Sequence, residues 1–289
     1  MIGIFDSGVG GLSVFREIYK RLPHESYIYF SDNAHCPYGE KTKEYIIERA
    51  KYITEKLVKE GADVIVVACN TATSAAIATL RELYSDKASE RLKEISNGRL
   101  DNIQFIGMEP AVKPAALGSK TKIIGVLATA GTLKGSKYLN IKDAYSDNVT
   151  IFEHVGQGFV ELVESGELDG ADAYATVRQS VEPLLDKGAD SIVLGCTHYP
   201  FLSAMINKVC EDYMAAGRHS LLPADSKINI IDPAPAVARR LVDVMRREGL
   251  ISPECASAAP LENPDYSAAG IKLLSSGEKT SLLRTYKLL

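Results

Sequence analysis

Two cysteines, Cys69 and Cys196, end two copies of one local sequence. Gly61-Ala62-Asp63-Val64-Ile65-Val66-Val67-Ala68-Cys69 reappears without a gap as Gly188-Ala189-Asp190-Ser191-Ile192-Val193-Leu194-Gly195-Cys196. Each copy is an apolar run of strand length, and polar residues follow at once: Asn70-Thr71 in the first, Thr197-His198 in the second. A free thiol with a pKa near about 8.5 is a few per cent thiolate around neutrality, so it can serve as base or as acid once its surroundings tune it. Two such thiols on opposite faces of one carbon suit a two-base proton exchange, in which one sulfur takes the proton and the other returns one from the far side. Helix N-termini following Cys69 and Cys196 would favour the thiolate form, with Thr71 and Pro200 as helix-start residues. Asp6 and His198, in strand-end loops, are candidate proton relays. The competing reading makes both cysteines small core hydrophobes; their shared register and polar followers favour the chemical one.

A second echo joins Ile2-Gly3-Ile4-Phe5-Asp6-Ser7-Gly8 to Ile124-Gly125-Val126-Leu127-Ala128-Thr129-Ala130. Two copies of one α/β unit explain both echoes. The glycine-rich run Asp6–Gly11, with Asp32 after a second strand, loosely mimics a dinucleotide-binding fingerprint. Two departures argue against a nucleotide: Ser13 replaces the third glycine, and Asp6 sets a negative charge where a pyrophosphate would sit. A carboxylate, a hydroxyl and free N–H groups suit a small zwitterion better. Pro37-Tyr38-Gly39, Asn70-Thr71, Thr129 to Thr132 and Thr197 add polar groups after strands. A metal site built from Cys36, Cys69, Cys196 and His198 lacks the paired spacings of structural zinc, and no metal is expected.

These groups need a frame that gathers strand ends. Strand patterns lie at Ile2–Phe5, Tyr27–Phe30, Val64–Ala68, Ile103–Ile106, Lys122–Leu127, Val149–Phe152, Ser191–Gly195 and Ile228–Ile231. Amphipathic helical patterns lie between them at Leu12–Arg21, Lys43–Glu60, Thr71–Tyr84, Ala171–Lys187 and Ala236–Glu248. Alternation with near-continuous apolar strands predicts α/β architecture with buried parallel sheets, whose ligands bind beyond the carboxyl ends of the strands. Residues 86–102 read as an exposed polar insertion with helical character, and the tail after Ser252 carries little functional signal.

Hydrophobic residues make up 46% and charged residues 24% of the chain, an ordinary balance for a globular protein. The net charge of −4, with mixed signs along the chain, supplies no basic field for nucleic acid. The longest apolar runs are strand-sized, far short of the roughly 20 residues of a membrane-spanning helix. MIGIFDSG has no charged leader, and five widely spaced cysteines without a C-x-x-C pair fit reduced thiols, so a cytoplasmic location is expected.

At these residues the chain resembles the glutamate racemases of the aspartate/glutamate racemase superfamily. The resemblance runs from Ile2 to about Arg240. It is carried by IGIFDSGVGGLSV at 2–14, DNAHCPYGEKT at 32–42, VVACNTATSAA at 66–76, GMEPAVKPAA at 107–116, GVLATAGTLKG at 125–135 and VLGCTHYPFL at 193–202. It implies L-/D-glutamate interconversion without pyridoxal phosphate or metal, supplying D-glutamate for peptidoglycan; a related racemase acting on aspartate or another carboxylate substrate is the alternative. It also implies that Cys69 deprotonates D-glutamate with help from Asp6, and that Cys196 deprotonates L-glutamate with help from His198. Ser7, Tyr38, Gly39, Asn70, Thr71, Thr129, Thr132 and Thr197 match positions that hold substrate. Glu164 aligns with an acidic residue near the second cysteine, but the prolines of the family pattern are missing there, and Glu153 and Glu161 stay open as alternatives. The fold implied is two pseudo-symmetric doubly wound α/β domains with the active site in the cleft between them. The expected domains are 1–112 with 225–289, and 113–224, with Ile228–Arg240 as the returning element. A homodimer is the expected assembly.

Overall fold

The computed structural model describes residues 1–85, 89–217, 221–222 and 227–289. The start of the 86–102 insertion and the expected boundary at 224/225 lie outside the described residues. Contacts divide the chain into one unit of residues 1–108 and 234–289 and a second of 109–233.

The first unit opens with β1 (Ile2–Asp6), α1 (Leu12–Arg21), β2 (Tyr27–Ser31), α2 (Lys43–Lys59), β3 (Val64–Val67), α3 (Asn70–Tyr84), α4 (Glu90–Ile95) and β4 (Gln104–Gly107). The second holds α5 (Val112–Gly118), β5 (Ile123–Ala128), α6 (Ala130–Leu133), α7 (Ser136–Tyr145), β6 (Thr150–Val155), α8 (Phe159–Ser165), α9 (Gly170–Leu185), β7 (Ser191–Gly195), α10 (Ser203–Ala215) and β8 (Asn229–Ile231). The chain then returns through α11 (Ala234–Arg247), α12 (Pro253–Ser257), β9 (Ile271–Ser275) and α13 (Thr280–Tyr286).

Each unit is built on a parallel sheet, ordered β4-β3-β1-β2-β9 in the first and β8-β7-β5-β6 in the second. Apart from β9 the two orders match strand for strand, and the match extends to register. Ile2 pairs with Val64 and Ile124 with Ser191, the residues that correspond in the two sequence echoes. The aspartates of the repeated Gly-Ala-Asp do corresponding work. Asp63 accepts from the Met1 amino nitrogen at 2.8 Å, just before β1, while Asp190 accepts from the Lys120 and Thr121 amides at 2.6 and 2.9 Å, just before β5. This repeated carboxylate fastens the start of the neighbouring strand and belongs to the frame.

The strands are apolar because both sheet faces are covered. β1, β2, β3 and β7 are buried at every residue. Ile65, Val67, Ile53, Leu57, Ile77 and Leu80 share the core between the first sheet and helices α2 and α3; each fully buried side chain of this size is worth about 1.5–3 kcal/mol over exposure. A smaller core in the second unit gathers Val126, Val193, Val112, Ala115 and Tyr138.

Three expectations need correction. The returning element starts later than 225: β8 pairs with β7 in the second sheet, so the return begins with α11, whose Leu241 and Met245 face is buried and which packs on α1. Within the 86–102 insertion, α4 buries Leu92 and Ile95 against the first core, so it is docked. The tail adds a strand, β9, parallel to β2 at the sheet edge. No helix among the described residues is long and apolar enough to cross a membrane.

Candidate active site

In the order β4-β3-β1-β2, the chain leaves β1 toward β2 on one side and returns to β3 on the other. The ends of β1 and β3 therefore flank a topological switch point, where diverging loops leave room for a ligand. Asp6 ends β1 and Cys69 follows β3. The ends of β5 and β7 have the same relation in the second unit, with Thr129 after β5 and Cys196 after β7.

In the first unit Cys69 is the N-cap residue of α3, and its sulfur accepts from the Ala72 amide at 3.4 Å. Negative charge on this sulfur would meet both an N–H donor and the positive end of a fifteen-residue helix. The Cys69 sulfur also lies 3.8 Å from the Ser7 hydroxyl, which in turn donates to Asp6 Oδ1 at 3.3 Å. A thiol proton thus has a path through Ser7 to the Asp6 carboxylate. Asp6 is wholly buried and accepts from the amides of Ser7 at 2.6 Å and Gly11 at 2.5 Å. Those are amides of the glycine-rich loop, and an internal carboxylate occupies them where a pyrophosphate would need them, which disposes of the dinucleotide reading. Gly11 has to be glycine: a Cβ there would meet Asp6 Cβ at 2.8 Å and the Tyr29 hydroxyl at 2.9 Å.

Asn70 and Thr71 follow Cys69 in the first turn of α3, both nearly buried. Among the described residues, neither polar atom of the Asn70 amide has a protein partner. An unpaired buried amide costs about 1–3 kcal/mol, which points to an intended partner outside the protein.

Tyr38 stands apart from the other expected substrate contacts. Its phenol is buried and donates to Asp32 Oδ2 at 2.5 Å, while Arg49 donates to both oxygens of the same carboxylate at 2.9 and 2.6 Å. What the Pro37–Gly39 segment can offer a ligand is therefore its backbone. Burial raises the Asp32 pKa, but hydrogen bonds from Arg49, Tyr38 and Ser276 outweigh it and hold the carboxyl below its ordinary value. Burial, with Asp32 alongside, drives the Tyr38 phenol well above its ordinary value. The depressed folded pKa of Asp32 contributes stability above the unfolded value of about 4 and loses it as pH falls through the folded value. Asp32→Asn is accordingly expected to cost about 3 kcal/mol at neutral pH, and the deficit should shrink below about pH 4. Denaturant unfolding of both proteins across that range checks this; a gap independent of pH would contradict it.

In the second unit Cys196 is buried, and its sulfur lies 3.7 Å from His198 Nδ1. His198 Nε2 is 2.8 Å from Glu164 Oε1. When Glu164 takes the Nε2 proton in hydrogen bonding, the unprotonated Nδ1 faces the thiol, an arrangement of nucleophile, base and orienting carboxylate. Of the three candidate glutamates, Glu164 is the one that reaches His198. Glu153 is engaged by the Tyr138 hydroxyl at 2.8 Å and by Lys142 at 2.6 Å, and Glu161 is exposed on α8. Helix α8 is framed by Gly158 and Gly166, both left-handed at φ 81° and 80°, and this short helix delivers Glu164. Phe159 packs edge-on against Tyr199, with ring centroids 4.9 Å apart, and ties α8 to the residue after His198. Thr129 caps α6, accepting from the Thr132 amide at 3.3 Å, and the two hydroxyls are 3.0 Å apart. Thr197, the residue after Cys196, is buried.

Cys196 does not cap an α-helix as expected. A 3₁₀ turn, Tyr199–Leu202, comes first, and α10 begins only at Ser203. The two sulfurs are thus supported differently: Cys69 by an amide at a helix start and a hydroxyl relay, Cys196 by an imidazole–carboxylate pair.

Residues 2–241 match the Asp/Glu/Hydantoin racemase family model. The chain belongs to this family. Among its relatives, a glutamate racemase of Stutzerimonas stutzeri is 44% identical over 87% of this chain and 84% of its own. One of Methylococcus capsulatus is 41% identical over 90% and 84%. The crystal structure of glutamate racemase isoform RacE1 from Bacillus anthracis superposes with a TM-score of 0.75 at 28% identity, covering 100% of this chain and 92% of that one. The Escherichia coli glutamate racemase, crystallised with L-glutamate and the activator UDP-MurNAc-ala, gives 0.75 at 28% identity over 99% and 94%. This racemase thus shares fold and sequence with enzymes of the isomerase class.

Sequence reading passed over two members of its first unit's site, the Asp32–Arg49 pair and the Ser7 bridge. A signal for Arg49 was present: it falls in the stripe Ile46, Ala50, Ile53, which is otherwise apolar and buried. A charge in such a stripe needs a buried partner.

Proposed function

We propose that this racemase interconverts L- and D-glutamate by proton exchange at Cα, with Cys69 and Cys196 as paired acid–base thiols. The observation that carries this reading is the equivalence of the two cysteines. Each follows the strand next to the first strand of a repeated unit, and each has its own proton relay: Ser7 and Asp6 for Cys69, His198 and Glu164 for Cys196.

In the D-to-L direction the Cys69 thiolate removes the Cα proton, leaving a carbanion conjugated with the substrate carboxylate. The Cys196 thiol gives its proton to the opposite face, and each sulfur is reset through its relay. The reverse direction exchanges the roles. Backbone at Tyr38 and Gly39, the Asn70 amide and the hydroxyls of Ser7, Thr71, Thr129, Thr132 and Thr197 hold the substrate's charged groups. D-glutamate for peptidoglycan is the biological product, made in the cytoplasm by a homodimer.

A circular dichroism time course on L- and on D-glutamate, without added pyridoxal phosphate, tests the reaction. Both signals should decay to zero, and Cα should acquire deuterium in heavy water. Decay with aspartate and none with glutamate would move the enzyme to the sibling substrate. Glutamate binding with no loss of optical signal would overturn the catalytic reading.

A further inference from the structure

The tail beyond the family match ends up fastened to the segment that carries Tyr38. Strand β9 pairs with β2 up to Ser31 opposite Ser275, and the turn after it wraps over residues 31–34. The Ser276 amide donates to the Ser31 carbonyl at 3.0 Å. The Ser276 hydroxyl accepts from the Ala34 amide at 3.1 Å. Asn33 Oδ1 accepts from the Ser275 hydroxyl at 2.7 Å and the Gly277 amide at 2.9 Å, and Asn33 Nδ2 donates to the Glu278 carbonyl at 2.5 Å. A Cβ on Gly277 would stand 3.1 Å from Asn33 Oδ1 and 3.3 Å from Ala34 Cβ, so the turn lies close against the loop.

Asp32 is the junction. Its carboxylate receives Tyr38 from the substrate loop and Arg49 from α2, its amide donates to the Asp6 carbonyl at 2.9 Å, and its neighbours Ser31, Asn33 and Ala34 are held by the tail. A loop whose single large side chain ends on a carboxylate inherits the position of that carboxylate. We infer that the β9 turn, through Ser276 and Asn33, is a positioning element that sets the Pro37–Gly39 backbone for substrate by way of Asp32 and the Tyr38 phenol. The turn touches no substrate itself, so Ser276 and Asn33 are positioning residues. The inference rests on the reading that Pro37–Gly39 holds glutamate.

Kinetics of the full-length chain carrying Ser276→Ala, Ser276→Thr, Asn33→Ala, Tyr38→Phe and the double Ser276→Ala/Tyr38→Phe test it, with melting temperatures alongside. Loss of one anchoring hydrogen bond should raise the KM for glutamate roughly three- to tenfold. For Ser276→Ala, kcat should stay within about twofold, because a loosened binding loop weakens ground and transition states alike. Ser276→Thr, which keeps the hydroxyl, should restore KM. The double variant should exceed neither single by more than about twofold, since both changes break one chain of contacts. A lower melting temperature with KM unchanged in Ser276→Ala and Asn33→Ala, while Tyr38→Phe raises KM, would overturn the anchor and leave the substrate loop standing. An unchanged KM in Tyr38→Phe as well would remove the loop from the binding site, and the anchor with it.

Discussion

Cys69→Ser and Cys196→Ser should each lower glutamate interconversion by about a thousandfold or more, read as the decay of circular dichroism from either enantiomer. A serine hydroxyl keeps the shape of the site but ionises far too weakly to take a Cα proton or to be held as a reactive anion. The singles should also part company in heavy water. With Cys69 intact, Cys196→Ser retains a base for D-glutamate and should exchange its Cα proton with retention, leaving L-glutamate untouched. Cys69→Ser should show the mirror image. The double variant should lose no more racemisation than either single, as expected of groups that act as one unit. Racemisation at the wild-type rate by Cys196→Ala would end the two-thiol mechanism.

His198→Asn should reduce kcat/KM by about a hundredfold, and Glu164→Gln by about tenfold, because one removes the base beside Cys196 and the other only its orienting partner. The two enantiomers are equal in free energy in water, so kcat/KM must fall equally in both directions. The defect is nonetheless one-sided, and isotopes expose it. In the L-to-D direction the weakened Cys196 removes the substrate proton, so the primary isotope effect from Cα-deuterated L-glutamate should grow. In the D-to-L direction Cys196 only delivers a solvent-derived proton, and the effect from deuterated D-glutamate should shrink. Glu161→Gln and Glu153→Gln serve as controls with near-normal rates, since one side chain is exposed and the other is held by Lys142 and Tyr138. Equal isotope effects in the two directions for His198→Asn would dissociate the imidazole from Cys196.

The different support of the two sulfurs follows from what comes after each strand. Asn70 continues directly into a long helix, so Cys69 occupies the cap position, with the Ser7 hydroxyl 3.8 Å away. After Cys196 the Tyr199-Pro200 pair tightens the chain into a 3₁₀ turn, which turns His198 back toward the sulfur. A helix start and an imidazole–carboxylate pair thus give the two sulfurs different polar surroundings.

Much of the frame was written in local pattern. The apolar runs specify strands because a parallel sheet covered on both faces leaves no polar position inside, and the repeated Gly-Ala-Asp runs specify where those strands begin. The duplication placed both cysteines at corresponding strand ends, and that was readable from spacing alone. Strand β9 was not: Ile271–Ser275 is a half-buried edge segment in a Ser-, Pro- and Gly-containing tail, and its pairing is set by β2, more than 200 residues away. The true return point, at α11, depended on β8 finding β7, another pairing at a distance.

The sequence by itself determined the repeated α/β unit and the two thiols with polar neighbours at its strand ends, because periodicity and repetition are local and survive in one dimension. Only the tertiary structure decided that Glu164 and not Glu153 or Glu161 meets His198, that Ser7 bridges Cys69 to Asp6, and that Asp32 joins Tyr38 and Arg49 beside residues held by the tail. Those choices turn on hydrogen bonds a few ångströms long between side chains from different elements, and no spacing along the chain encodes which carboxylate a given imidazole or phenol reaches.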